Sequence, residues 1–181
     1  STANRQGRVI GTNITGGDAT HPGVVQTAVC KMFDWSLGAV GLSERVAKQL
    51  GYDTVTAIVP GPDITHFMPG KKLIMTRLLA DRATGRILGV QIVGPGKVDK
   101  RIDTMVAAIT FGVTAKQLAN LDLSYAPPLS SAMENLTNAA NVLQNTIEGK
   151  AKSMRFEEFK SKLDSDDVVF VDLRTAHERA Q

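Results

Sequence analysis

The sequence predicts an α+β fold, an antiparallel sheet with helices packed on one face, for most of its 181 residues. Strand-like runs fall together between residues 53 and 93, and helix-like runs follow between residues 98 and 147. Elements that are grouped by type favour this layered architecture over alternating parallel units. An apolar content of 43% with 22% charged residues is ordinary for a globular domain with a core.

The first predicted elements are two helices and a strand. Residues 2–14 carry apolar side chains at helical spacing and stop at a Gly-Gly pair. Residues 43–51, SERVAKQLG, combine a serine cap with a terminal glycine and predict a short helix. Residues 53–61, DTVTAIVPG, alternate as a strand does and end at Pro60 and Gly61.

A β-hairpin and three helices complete the predicted domain. Two apolar runs, 73–80 and 87–93, are joined by the turn-rich segment DRATGR. One face of residues 98–112 is apolar at helical spacing, and residues 114–121 form a second helix capped by Thr114. The last helix runs from about Ala132 to Ile147. Its candidate N-caps are Ser130 and Ser131, with Glu134 at capping-box spacing from Ser131.

The segment before the last helix, LDLSYAPPLSS, predicts a stiff backbone. Pro127 and Pro128 fix φ, and the residue before a proline is forced out of the helical region, so the chain must run extended here. The result is a rigid arm that carries Tyr125. Residue types alone favour a helix entry with a partly buried aromatic ring.

The sequence is short of groups that converge on a reaction. His21, His66 and His177 fall in separate segments without neighbouring ligands, so no metal site is predicted. Cys30 lies among apolar residues, which predicts a small buried structural thiol rather than a nucleophile. A lone cysteine also indicates a reducing compartment, and the cytoplasm is the default.

Charge and hydropathy exclude two kinds of partner. The net charge is +3, and the basic residues are scattered singly among acids, so no nucleic-acid partner is predicted. No run approaches the roughly 20 apolar residues of a membrane span. On residue types alone, the chain is an interaction or scaffold domain.

The last residues, 150–181, differ in character. They predict a short amphipathic helix, a polar turn and then VVFVDL, residues 168–173, as a buried parallel strand. Such a strand needs neighbours, so this stretch is expected to be the start of a second domain and the chain a piece of a longer protein.

Several motifs in order carry a family resemblance: ANRQGRVIGTNITGGDATHPGVVQTAV, GLSE, VPGPD, GRILGVQIVG, VDKRID and LDLSYAPPLSSA. Together they resemble the C-terminal third of the single-cysteine pyridine nucleotide-disulfide oxidoreductases, over residues 3–149. These flavoproteins include NADH oxidases and coenzyme A-disulfide reductases. The tail is similar to the opening of a rhodanese domain, because Asp172, Arg174 and Glu178 match its Asp-x-Arg and Glu pattern.

The resemblance implies three parts. Residues 1–16 would be the closing helix of an FAD-binding domain, 17–149 the dimerisation domain, and 150–181 a truncated rhodanese-like domain. It implies a homodimer that uses FAD and NAD(P)H on a small disulfide or persulfide substrate, with coenzyme A in the site. The redox cysteine and nucleotide-binding folds would lie outside this chain, and Cys30 matches neither family cysteine. The chain alone is therefore expected to bind little or no FAD and to be inactive.

The resemblance also nominates site residues. Tyr125 matches the tyrosine of the family's YAPP arm, which lies near the flavin and the substrate sulfur of the partner subunit. Asn4 and Arg5 match positions that contact coenzyme A.

Two departures bear on these assignments. Met133 stands where the family usually has a lysine that meets the coenzyme's phosphates, and Phe67 and Met68 replace two adjacent tyrosines. Two alternatives stay open: a fragment of an NADH oxidase on the same scaffold, and a non-enzymatic interaction module.

Overall fold

The computed structural model describes residues 2–154, 156–163 and 165–180, and it divides into two compact units at Lys150/Ala151. The first unit contains α1 (Thr2–Ile14), β1 (Ala28–Met32), β2 (Trp35–Gly41), α2 (Glu44–Gln49), β3 (Thr54–Pro62), β4 (Leu73–Asp81), β5 (Ile87–Gly94), α3 (Asp99–Thr110), α4 (Ala115–Ala119) and α5 (Asn135–Ile147). The second unit contains α6 (Phe156–Lys162) and α7 (Ala176–Arg179).

The strands form one sheet in the order β1-β2-β5-β4-β3, and every neighbouring pair is antiparallel. The predicted hairpin is β4–β5. Its turn is closed by Asp81, whose carboxylate accepts hydrogen bonds from the amide and hydroxyl of Thr84 at 3.2 and 2.6 Å. The predicted α+β class is therefore confirmed.

The core lies between the sheet and the later helices. α3 packs on β2 and β5, while α5 packs on β3 and β4. Because strand side chains alternate between faces, Leu78 joins this core, whereas Leu79 points to the opposite face. There it meets Ala47 of the short helix α2 and Leu88.

The hairpin β1–β2 was not predicted from the sequence. Met32 pairs with Trp35, so the turn consists of Phe33 and Asp34 alone. Phe33 has φ of 53° and is 92% exposed, and a bulky residue is rarely found in that backbone region. Apolar runs lie on both sides of this turn, but it lacks the glycine or asparagine by which a two-residue hairpin turn is usually predicted.

The prediction of a buried Cys30 is wrong. Cys30 lies in β1, all of whose residues are exposed, because β1 is an edge strand of the sheet. Its apolar neighbours belong to a strand with only one partner and not to the core.

The predicted start of the last helix is also wrong. α5 begins at Asn135, and Glu134 is its N-cap, with its carboxylate accepting from the amide of Leu136 at 3.4 Å. The Ser130 hydroxyl donates instead to the carbonyl of Ser124 at 2.8 Å, within the segment before the helix. The Ser130 side chain therefore bonds to a nearby backbone carbonyl and does not cap the helix.

The buried strand predicted for residues 168–173 is not formed. These residues have no strand assignment, and Val169, Val171 and Leu173 are strongly exposed. Within the described residues 156–163 and 165–180 no strand is available to pair with them, so their backbone cannot enter a ladder. Phe170 contacts Phe159 edge to face, with ring centroids 4.8 Å apart.

α3 lies close to the sheet at Gly38 of β2. A Cβ atom at this position would lie 2.4 Å from Ile102 Cγ1 and 3.0 Å from Val98 Cγ1. Both side chains are fully buried, so they cannot move aside without moving the helix. The absence of a side chain at Gly38 thus fixes how near α3 lies to the sheet.

We expect Gly38→Ala to lower the free energy of unfolding by about 1–3 kcal/mol, because the added methyl overpacks the helix contact. Urea denaturation followed by circular dichroism measures the change. Gly11→Ala in α1 is the matched control, since no atom lies within 4 Å of its Cβ position. A Gly38→Ala chain as stable as the original would contradict this account of the packing.

Candidate functional site

Residues 121–134, here called the Tyr125 arm, run extended and then turn tightly before α5. The amides of Leu129 and Ser130 both donate to the carbonyl of Ala126, at 2.8 and 2.9 Å. The Ser130 hydroxyl closes the same turn through Ser124. The arm therefore braces itself with local hydrogen bonds, in addition to the stiffness of its two prolines.

Tyr125 lies on the extended part of the arm and is 52% exposed. In the part of the chain that the structure describes, its hydroxyl has no hydrogen-bond partner. The phenol is therefore available to a group from outside this unit.

The loop between β3 and β4 is bonded to the arm. The amide of Thr65 donates to the carbonyl of Pro127 at 3.2 Å, and its hydroxyl donates to the carbonyl of Ser130 at 3.1 Å. The same loop carries Phe67, which is 66% exposed and stacks edge to face on His66. The structure thus joins the arm to the loop that bears Phe67 and Met68.

A buried arginine fixes the arm where it enters α5. Arg101 is 1% exposed, and its guanidinium forms an ion pair with the Glu134 carboxylate, including a hydrogen bond from Nε at 3.1 Å. The other nitrogens donate to the carbonyl of Asp63, at 2.8 Å, and to the carbonyl of Lys97. One side chain therefore joins α3, the β3–β4 loop and the N-cap of α5.

Asp63 completes this connection from the loop side. Its carboxylate accepts from the amide of Lys72 at 2.8 Å and from the amide of Lys97 at 3.1 Å. A Cβ at Gly96 would lie 2.7 Å from Asp63 Cβ, so the backbone approach requires a glycine there. We call Asp63, Lys97, Lys100, Arg101 and Glu134 the Arg101 cluster.

Two lysines of the cluster reach the arm itself. Lys97 Nζ donates to the carbonyls of Pro128 and Leu129 at 3.1 and 3.4 Å. Lys100 Nζ lies 3.5 Å from the Leu129 carbonyl and 3.8 Å from Glu134. Partial burial lowers the pKa of Lys100, while the Glu134 carboxylate opposes that shift.

Asn4 and Arg5 lie away from these contacts, on the exposed helix α1. Arg5 donates to the carbonyl of Gly23 at 2.6 Å and contacts the His21 ring at 3.2 Å. These bonds tie α1 to the segment after it. A coenzyme A contact by Asn4 or Arg5 stays a prediction.

Met133 directly precedes the N-cap of α5 and is 54% exposed. Its carbonyl accepts from the Asn138 side chain at 3.3 Å, while its thioether side chain carries no charge. At this place the arm therefore offers an apolar surface.

Residues 27–137 match the family described as pyridine nucleotide-disulphide oxidoreductase, dimerisation domain. The chain belongs to this family. It is 40% identical over 141 residues to the NAD(P)H coenzyme A polysulfide/persulfide reductase of Pyrococcus horikoshii, covering 78% of this chain and 32% of that protein. It is 37% identical over 136 residues to the NADH oxidase of Methanocaldococcus jannaschii, covering 75% of this chain and 30% of that protein.

A solved structure agrees with these relatives. The NAD-dependent persulfide reductase from A. fulgidus superposes with a TM-score of 0.83 at 46% identity, covering 86% of this chain and 29% of that one. The chain thus spans about a third of the length of the relatives that it matches.

Two kinds of site are absent from the residues that the structure describes. No group of three or more His, Cys, Asp and Glu side chains there is arranged to hold a metal ion. None of the helices in those ranges has both the length and the apolar character that a bilayer crossing requires.

The Arg101 cluster was not predicted from the sequence. A signal was present, because Arg101 stands three residues after Val98 and four before Met105, on the apolar face of the predicted helix. An arginine on a core-facing stripe predicts a buried ion pair.

We expect Arg101→Met to lower the free energy of unfolding by about 3–5 kcal/mol, because Glu134 stays buried without its cation. Adding Glu134→Gln to that variant should recover part of the loss. Arg82→Met removes an exposed pair with Asp53 as a control, and a change below about 1 kcal/mol is expected. Equal losses for Arg101→Met and the control, by urea denaturation, would show that the cluster does not hold the fold.

Proposed function

We propose that this chain is the dimerisation part of an FAD- and NAD(P)H-dependent reductase of coenzyme A disulfide, polysulfide or persulfide. In this proposal the Tyr125 arm completes the active site of the partner subunit. The observation that carries it is a braced arm that presents an exposed phenol, without a hydrogen-bond partner among the described residues. The relatives that match the chain support the substrate class.

The geometry fits a hydrogen-bond donor that is prepared in advance. A phenol can donate to a thiolate or to a charged intermediate, and a fixed backbone lowers the entropy lost on forming that bond. The proline pair, the Ser130 turn and the Arg101 cluster all restrict the arm before any partner arrives. FAD, when bound, would carry electrons between NAD(P)H and sulfur, and Tyr125 would hold or donate a proton at the sulfur or flavin.

In this proposal the coenzyme A contact involves Asn4 and Arg5. Asn4 and Arg5 are exposed on α1, but Arg5 already donates to the Gly23 carbonyl. The apolar side chain of Met133 removes a charge-assisted contact that the family usually makes there. We therefore propose that the coenzyme's phosphates are held with less help from this chain.

The second unit is proposed to be the start of a rhodanese-like domain. Its motif residues are engaged locally, since Arg174 pairs with Asp172 at 2.9 Å and Glu178 forms a capping box with Thr175. These local bonds are enough to explain the three motif residues structurally. The proposal of a rhodanese-like domain therefore rests on the sequence resemblance.

An NADH oxidase on the same scaffold is the second candidate function. Met133 favours it, because an oxidase has no phosphate of coenzyme A to bind at this position. The likeness to the Methanocaldococcus jannaschii protein supports it as well. The rhodanese-like tail favours a sulfur substrate.

We expect the purified chain to be a homodimer at micromolar concentration, without bound flavin. Light scattering with FAD absorbance read on the same sample measures both properties. A strictly monomeric chain would count heavily against the proposed role, and a yellow protein would show that the parts have been misassigned.

In the intact enzyme, Tyr125→Phe should lower kcat for persulfide reduction by roughly 10²-fold, because one proton or hydrogen-bond donor is lost from the reacting centre. Steady-state turnover with a coenzyme A persulfide measures this, and light scattering should still show the dimer. The other tyrosine of the chain supplies the matched control. Tyr52→Phe, between α2 and β3, should leave turnover unchanged. Unchanged turnover in Tyr125→Phe would return Tyr125 to a packing role.

A further inference from the structure

Lys97 lies at the point where the Arg101 cluster meets the Tyr125 arm. Its backbone belongs to the cluster, since its amide donates to the Asp63 carboxylate and its carbonyl accepts from Arg101. Its side chain reaches out to the carbonyls of Pro128 and Leu129. Lys97 therefore joins the cluster through its backbone and the arm's proline turn through its side chain.

We infer that Lys97 is a positioning residue for Tyr125, holding the proline turn of the arm through its ammonium group. This inference rests on the proposed function, because it assigns Lys97 a catalytic effect that acts only through the Tyr125 phenol.

The carbonyls of the turn need such a donor. Pro127 and Pro128 have no N–H, so this part of the arm lacks the amides that would otherwise anchor it to a neighbouring segment. The Pro127 carbonyl accepts from Thr65, while Lys97 donates to the carbonyls of Pro128 and Leu129. An ammonium can donate to both at once, because it carries three N–H bonds. Lys100 also reaches the Leu129 carbonyl, at the longer distance of 3.5 Å.

The side chain can be removed without breaking the cluster. Both cluster bonds of Lys97 use its backbone, so Lys97→Met keeps them and deletes the two bonds to the arm. The ammonium bonds to two neutral carbonyls, so its removal leaves neither of these partners as an unpaired charge. A change in turnover can therefore be separated from a change in fold.

The test is a double-mutant cycle in the intact enzyme with Lys97→Met and Tyr125→Phe, read as kcat and KM for a coenzyme A persulfide. We expect Lys97→Met alone to lower kcat about tenfold with KM nearly unchanged, since a small misplacement of a reacting group is costly. In the Tyr125→Phe background the same change should have less than about a twofold effect, because the two residues act as one unit. Lys97→Arg, which can also donate to two carbonyls, should recover most of the rate.

A second readout does not depend on turnover. Hydrogen exchange of the Leu129 and Ser130 amides should be faster in Lys97→Met, because the turn opens more often. Lys116→Met, on the exposed side of α4, is the matched control and should change neither exchange nor kcat.

The outcomes separate the inference from the proposed function. If Tyr125→Phe lowers kcat but Lys97→Met has no effect, or has the same effect in both backgrounds, the positioning role is overturned while the tyrosine keeps its role. If Tyr125→Phe has no effect, the proposed function fails and the positioning role fails with it. Unchanged exchange at Leu129 and Ser130 would overturn the positioning role on its own.

Discussion

The ion pair between Arg101 and Glu134 is the interaction on which the arrangement of this domain depends. Burying two charges costs several kcal/mol per ion, and the cost is offset only where the remaining donors are also bonded. Arg101 meets that condition, since it donates to a carboxylate and to two carbonyls from different segments. The pair therefore does more than neutralise charge, because it fixes the relative positions of α3, the β3–β4 loop and the start of α5.

That fixed junction explains how a segment without regular secondary structure becomes rigid. Gly38 lets α3 lie close on the sheet, and α3 carries Arg101 into the core. Arg101 holds Glu134, which ends the arm, and the loop bonded to the same guanidinium holds the proline turn through Thr65. Each contact fixes the position of the next segment, so the backbone that carries the exposed Tyr125 phenol is fixed relative to the sheet.

The fold was largely predictable because its later elements have strong local signals. The β4–β5 hairpin, α3 and the Thr114 cap follow from periodicity and capping alone. The β1–β2 hairpin was missed because its turn uses Phe33 in an unfavourable backbone region, a choice that no local rule favours. The start of α5 was misplaced because Glu134 serves the cap and the Arg101 pair together. That second duty depends on a residue 33 positions away, so no pattern around Glu134 itself could show it.

The Tyr125 hydroxyl differs from the Ser130 hydroxyl of the same arm, because no hydrogen bond to it forms among the described residues. A polar group on a braced segment gains little for the fold of its own domain when it has no partner there. The backbone on either side of Tyr125 is bonded to the Ser130 hydroxyl. The Tyr125 hydroxyl itself has no hydrogen-bond partner among the described residues. The hydrogen bonds of the arm therefore contribute to the stability of the fold, whereas the phenol hydroxyl of Tyr125 does not. The proposed shared site would use this arrangement, because an acceptor on the partner subunit would meet a donor that is already in place.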